Sequence, residues 1–134
     1  MGAGRIVVAV VAVLACGGGG LLIMKAKHDA DQEQPPAEAA ARSYLDAMLA
    51  DRLPDAYAMT CTKIHEEMTP KQFEDYQSDR DQIARYEVTG FDSSTSNGKL
   101  ESAAVHLRMY GHDGRFFDQR LPMTKENGAW RICQ

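Results

Sequence analysis

The reactive side chains of this 134-residue sequence are three cysteines, Cys16, Cys61 and Cys133, four histidines, and scattered carboxylates and tyrosines. His65-Glu66-Glu67-Met68-Thr69 opens like the zinc-protease helix, in which two histidines four residues apart share a helix face and hold the metal. Threonine stands where the second histidine is needed, so no zinc site forms. Cys61 and His65 are also four apart and could meet on a helix, but Pro70 starts a new element soon after. His106, His112 and Asp113 read as solvated residues near a hairpin tip. No metal and no cofactor are expected. Nucleophilic catalysis lacks its frame as well, for there is no Gly-x-Ser-x-Gly elbow and no phosphate loop after a strand. The run Gly17 to Gly20 lies inside an apolar stretch. Tyr44, Asp46, Tyr57 and Asp118 remain as groups that could hold or move a proton, and their spacing marks no acid–base pair.

Those residues have to be placed by three segments. Ile6 to Met24 is apolar apart from Cys16 and four glycines, long enough to cross the hydrocarbon core as a helix. Residues 1–27 therefore read as a membrane anchor. Val13-Leu14-Ala15-Cys16 also suits a lipoprotein signal with lipid on Cys16, and a secretory peptide could end near Ala15. Both alternatives leave Leu21-Leu22-Ile23-Met24 as an exposed apolar patch, a cost the single span avoids. Arg5 on one side and Lys25 and Lys27 on the other leave orientation open by charge. The five-residue N-terminal tail, and two cysteines far apart in the polar portion, favour an extracytoplasmic C-terminal domain in an oxidising compartment.

Residues 28–36, ending in Pro35-Pro36, have no apolar period and read as a polar tether. Residues 37–134 suffice for one small domain with one core. Twelve of the fifteen basic residues lie beyond Lys27 against all nineteen acidic ones, a net charge of minus seven. Nucleic acid is excluded as a partner, because phosphate binding rests on lysine and arginine displacing counterions.

Within the domain, Ala41, Tyr44, Leu45, Met48 and Leu49 recur at helical spacing with polar residues between them. Pro54 suits the first turn of a short second helix. Thr69 with Gln72 forms a capping box, Pro70 takes the first helical position and Met68 can staple onto Phe73, which predicts a third helix to about Asp81. Beyond Gln82 the period becomes two. Tyr86 and Val88 lead to Gly90, where a bulge is expected, and Ser93 to Gly98 reads as a hairpin loop. Ala103, Val105, Leu107 and Met109 face one way, with Ala104, His106, Arg108 and Tyr110 opposite. Asp113-Gly114 and Asn127-Gly128 are tight-turn signals on either side of a strand with Phe117, Gln119, Leu121 and Met123 on one face. Helices followed by an antiparallel meander make an α+β domain, three helices laid on a curved sheet of about four strands.

This order, with Ala-Tyr-Ala-Met-Thr-Cys at residues 56–61, Met68-Thr69-Pro70-Lys71-Gln72-Phe73 and the closing Asn127-Gly128-Ala129-Trp130-Arg131-Ile132-Cys133, resembles the nuclear transport factor 2-like, or cystatin-like, fold. More narrowly it resembles small actinobacterial membrane-anchored proteins of that superfamily. The resemblance covers residues 37–134 and implies a fold and an address without a reaction. It also implies a disulfide between Cys61 and Cys133, for which two buried reduced thiols are the alternative. A cone-shaped pocket is implied as well, with Tyr44, Met48, Tyr57, Phe73, Tyr86, Leu107, Phe117 and Trp130 as candidate lining. Ketosteroid isomerase and the polyketide cyclases use such a cone with a carboxylate base, which makes an enzyme of that type the alternative function. Homodimers are common for the fold.

The reading is therefore a single-pass protein of the cytoplasmic membrane, displaying an extracytoplasmic domain that binds or scaffolds a small apolar ligand or a protein partner, with no catalysis. Mass spectrometry of the intact membrane form checks the anchor. The expected mass retains residues 1–15 and an unmodified Cys16, whereas loss of those residues with lipid on the cysteine establishes the lipoprotein.

Overall fold

The computed structural model describes residues 20–78 and 83–134, with side chains from Gln32 onward. The elements run α1 (Gly20–Leu49), α2 (Leu53–Ala58), α3 (Thr62–Glu67) and α4 (Pro70–Ser78), then β1 (Ile83–Ser96), β2 (Lys99–Gly111), β3 (Phe116–Glu126) and β4 (Ala129–Ile132). The strands form one antiparallel sheet in the order β1-β2-β3-β4, so the α+β class holds. Among the described residues no helix is long and apolar enough to cross a membrane. The span expected over residues 6–24 lies outside the described residues up to Gly19, and Cys16 lies outside them altogether.

α1 packs against α2 and against β1, β2 and β4. Its buried stripe is Ala37, Ala41, Tyr44, Leu45 and Ala47, in which the alanines let the helix backbone approach the sheet. The helix stops at Asp51, held at φ 56°. Arg52 N–H donates to the Ala47 carbonyl at 2.8 Å and Asp51 N–H to Met48 at 3.2 Å, the paired bonds of a Schellman cap with aspartate where glycine is commoner.

Residues 28–36, expected as a tether, are helical and lie inside α1 with both prolines. A proline inside a helix removes one backbone bond and crowds the preceding turn, at a cost of about 3 kcal/mol. Contacts on both sides offset this. The Glu33 carboxylate accepts from Lys125 Nζ at 2.6 Å and from Trp130 Nε1 at 3.0 Å, Gln34 Nε2 donates to Glu38 at 2.9 Å, and Ala37 is fully buried. No apolar period announced the helix because an ion pair, 92 residues apart in sequence, helps hold it.

α3 was not anticipated. Its first N–H is satisfied from a distance: Glu126, at the β3–β4 turn, accepts from Thr62 N and from Thr62 Oγ1, each at 3.0 Å. A carboxylate there also complements the helix dipole. α4 carries the expected capping box, with Thr69 N–H donating to Gln72 Oε1 at 2.8 Å and Gln72 N–H to Thr69 Oγ1 at 3.3 Å. It is described to Ser78, and the last turn expected to Asp81 lies outside the described residues.

The bulge falls where it was placed, since Val88 pairs with Leu107 and Gly90 with His106, which leaves Thr89 unmatched. Two hairpins close on Asn97-Gly98 and Asn127-Gly128, each with positive φ at both positions. Ser93 to Ser96 are therefore strand rather than loop, because the Asn-Gly pair alone reverses the chain. The β2–β3 connection is longer than the expected two residues. It spans residues 112–115, with Gly114 at φ 79° and Arg115 N–H donating to Asp113 Oδ1 at 3.0 Å.

β4 is only four residues long and gains a partner that sequence did not show. Thr60 pairs in parallel with Ile132, with Ile132 N–H donating to Met59 at 3.0 Å and Cys61 N–H to Ile132 at 2.8 Å. Beside this bridge Cys61 and Cys133 are joined by a disulfide, Cα atoms 5.2 Å apart and 72 residues apart in sequence.

Opening that loop by Cys133→Ser should cost about 4 kcal/mol by the chain-entropy relation, read as a lower thermal midpoint than unreduced wild type. An unchanged midpoint would mean that the backbone bridge suffices. Hydrogen bonds from Lys125 and then Trp130 hold the Glu33 carboxyl below its ordinary value. A lowered native value means that the contribution is complete above the unfolded value and vanishes as pH falls through the native one. Glu33→Gln should cost about 1 kcal/mol at neutral pH and flatten the loss of stability on acidification, measured by urea unfolding at neutral and acid pH.

Candidate functional site

The interior between helices and sheet is filled by side chains. Val105, Leu107, Leu121, Met123 and Ile132 are at most 2 % exposed. On the helix side lies a cleft of about 120 Å³ lined by Tyr44 from α1, Thr60, Ile64 from α3, Met68, Phe73, Tyr76 and Gln77 from α4, and Gln134, while larger hollows of about 270 to 310 Å³ lie around Ser93 and Met123, around Thr89 and Gln119, and around Thr62 and Asn127. Ligand pockets for drug-sized molecules run from about 300 Å³ upward. The lining of the cleft carries no carboxylate, imidazole or ammonium side chain.

Of the residues expected to line a pocket, Tyr44 and Phe73 line the cleft. Leu107 and Trp130 are buried in the core, while Met48, Tyr57 and Tyr86 pack half-buried against it. Phe117, the second residue of β3, is 49 % exposed. Tyr57 has structural work: its hydroxyl donates to the Met68 carbonyl at 2.8 Å, and its ring stacks on His65 at 4.5 Å. His65 Nε2 in turn lies 2.9 Å from the Tyr57 carbonyl. Thr60, Ile64, Met68, Tyr76, Gln77 and Gln134 were missed. Gln77 had a signal, since it stands four residues after Phe73 and so shares its helix face.

Polar side chains also line the cleft. Gln77 is 7 % exposed, and its Oε1 is a buried acceptor with no hydrogen-bond partner. Gln134, at the exposed rim, donates from Nε2 to the Tyr44 hydroxyl at 3.2 Å and accepts from Gln119 at 3.3 Å. Thr60 Oγ1 donates to the Tyr57 carbonyl at 2.6 Å.

Proton-transfer candidates sit elsewhere. Asp46 accepts from the Tyr86 hydroxyl at 2.8 Å, pairing α1 with β1 outside the cleft. Burial, followed by the Asp46 carboxylate, pushes the Tyr86 phenol up. Asp118 takes two bonds from Arg108, at 2.8 and 3.1 Å, and that guanidinium holds its carboxyl down. On the same sheet face His106 Nε2 lies 2.6 Å from Asp92, with Arg120 at 3.5 Å from the same carboxylate oxygen. His106 thus joins Asp92 rather than His112 and Asp113 at the hairpin tip. Among the described residues no group of three or more histidine, cysteine, aspartate or glutamate side chains is gathered as for a metal.

No family model matches the chain and no curated protein matches it. Solved structures do. An NTF2-like transpeptidase assigned in Campylobacter jejuni superposes with a TM-score of 0.51 at 7 % identity, over 72 % of this chain and 96 % of that one. A SEC-C motif protein of Psychrobacter arcticus gives 0.57 at 18 % identity, over 80 % of this chain and 66 % of that one. A SEC-C motif protein of Rhodopseudomonas palustris gives 0.52 at 17 % identity, over 72 % and 74 %. At these identities the likeness is one of fold, and it accords with a nuclear transport factor 2-like cone.

Proposed function

We propose that this chain is a membrane-anchored, extracytoplasmic binding or scaffolding domain that carries out no reaction. The observation that supports it most is the interior: the space in which an enzyme of this fold would keep a buried base is packed with Val105, Leu107, Leu121, Met123 and Ile132, and the residual cleft holds no ionisable side chain other than tyrosine. Proton abstraction next to a carbonyl needs a group poised near the operating pH within bonding reach of substrate. Tyrosine, with its ordinary value near 10, does not supply that. The small volume of that cleft argues against a lipid-sized apolar guest between the helices and in favour of a protein partner met at the surface. The Cys61–Cys133 disulfide supports an oxidising compartment, and the apolar stretch from Ile6 to Met24 supports a membrane anchor.

Two observations favour the enzyme reading. Asp46 and Tyr86 form the carboxylate–phenol pair that such chemistry uses, 2.8 Å apart, and one structural neighbour carries the name of a transpeptidase. Both readings can be separated in the cell of origin. The double variant Asp46→Asn, Tyr86→Phe should restore a deletion strain to within about twofold of wild type if the work is binding. Loss of complementation by a variant that still folds and reaches the membrane would move the function to catalysis. Protease added outside intact spheroplasts should digest the domain, and protection would place it in the cytoplasm.

A further inference from the structure

Among the described residues three basic side chains are half-buried, Arg108, Lys125 and Arg131. The first two each hold a carboxylate, Asp118 and Glu33. Arg131 holds none, although acidic residues outnumber lysine and arginine in the chain, and its one contact among the described residues is a 3.1 Å hydrogen bond from Nη1 to the Ala58 carbonyl. A carboxylate stands close by. Thr124 pairs with Arg131 and Glu126 with Ala129, so these four side chains share the outer face of the β3–β4 ladder, and Glu126 is the diagonal neighbour of Arg131, within reach of so long a side chain. No ion pair joins the two. The Glu126 carboxylate turns instead to Thr62, and both charges line the hollow of about 270 Å³ that Ala58, Ala129, His65 and Asn127 help to enclose.

We infer that this hollow is a binding site for a free α-amino acid, whose carboxylate is held by the Arg131 guanidinium and whose ammonium is held by Glu126. The chemistry follows from the two unjoined charges. A guanidinium carries five N–H donors in a fork that matches a carboxylate, and the Ala58 carbonyl takes one of them. The Glu126 carboxylate accepts from the N–H and the hydroxyl of Thr62, which leaves lone pairs for an ammonium. A simple anion would meet Arg131 but lie against Glu126, and a simple cation would do the reverse. An uncharged guest would leave both groups to water. A zwitterion answers both at once. The volume lies below the roughly 300 Å³ at which pockets for drug-sized molecules begin, and Ala58 and Ala129 line it with single methyl groups, so the guest is an amino acid with a small side chain. The site does not rest on where the chain is held or on what meets the rest of its surface.

The probe is L-alanine, titrated at neutral pH into the ¹⁵N-labelled full chain in detergent micelles while the Thr62 backbone amide and the Arg131 Nε–H signals are followed. Propionate is alanine without its ammonium, and ethylamine is alanine without its carboxylate. The expected result is saturable movement of both signals by alanine, with propionate and ethylamine at least about tenfold weaker, the loss of one hydrogen bond to a charged group. Glu126→Gln keeps an acceptor for Thr62 and removes the charge. It should weaken alanine by about tenfold while propionate binds as well as before or better, an exchange that damage to the fold would not produce. Arg131→Gln should weaken alanine and propionate alike, with the Trp130 indole signal staying in place as the check on folding. Should neither variant fold, the comparison of the three ligands on the wild-type chain decides. Signals that fail to move, an equal response to propionate or ethylamine, or undiminished alanine binding by either folded variant would each overturn the site.

Discussion

The closure of the sheet at β4 is the constraint on which the rest of the domain depends. A strand of four residues has little pairing of its own, and it ends the meander at an edge that would otherwise expose backbone donors and acceptors. Here residues 59–61 run beside it, joined by the Thr60–Ile132 bridge, two backbone bonds and the disulfide one residue further along each chain. This fixes the turn between α2 and α3 against the end of the sheet. With that turn fixed, Glu126 is positioned to cap α3, and α3 and α4 supply Ile64, Phe73 and Gln77 to one wall of the cleft. A covalent link and a backbone bridge at the same place are complementary: the first limits the unfolded chain, the second satisfies buried polar groups in the folded one.

The sheet carries a division of labour that follows from its pleat. Residues alternating along β2 put Val105, Leu107 and Met109 into the core, and send His106, Arg108 and Tyr110 to the other face. There charge is neutralised locally. Arg108 pairs with Asp118, Arg85 with Glu87, His106 with Asp92, and Arg85 also lies 3.5 Å over the Tyr110 ring. Exposed pairs of this kind add little stability each. Their effect is to leave a face on which most charges are already paired, so its specificity toward a partner would rest on geometry and on Phe116, 58 % exposed, rather than on long-range attraction.

Local signals in the sequence were reliable where one residue type solves one backbone problem. Thr69 with Gln72, Asn127-Gly128 and the irregularity at Gly90 all carried their own geometry, and the alternation along β2 identified the core face, whereas the loop expected over Ser93 to Gly98 reduced to Asn97-Gly98. Features set by distant partners were not legible. The helix through Pro35-Pro36 is helped by Lys125 and Trp130, α3 by Glu126, and the edge of β4 by Thr60, and no window of ten residues contains both halves of those contacts. The cleft suffered in the same way. A cone inferred from resemblance suggested that large apolar and aromatic residues would line space, but most of them fill it. What is left open is bounded by residues at element ends, Thr60, Met68 and Gln134, whose placement depends on how four segments meet.

The course of α1 bears on how the domain could be held. Thirty residues of continuous helix extend about 45 Å, and the stretch that joins the proposed anchor to the domain is part of it. A flexible linker would let the domain sample many orientations above a bilayer. A helix that passes through Pro35 and Pro36 and is clasped by Glu33 to β3 and β4 would fix the direction of its N-terminal end relative to the sheet. The Glu33 contacts with Lys125 and Trp130 are only about a quarter exposed, so they are less screened by salt than the surface pairs. An interaction at the β3–β4 end that competed for Lys125 would therefore loosen the helix around the prolines as well as its hold on the sheet.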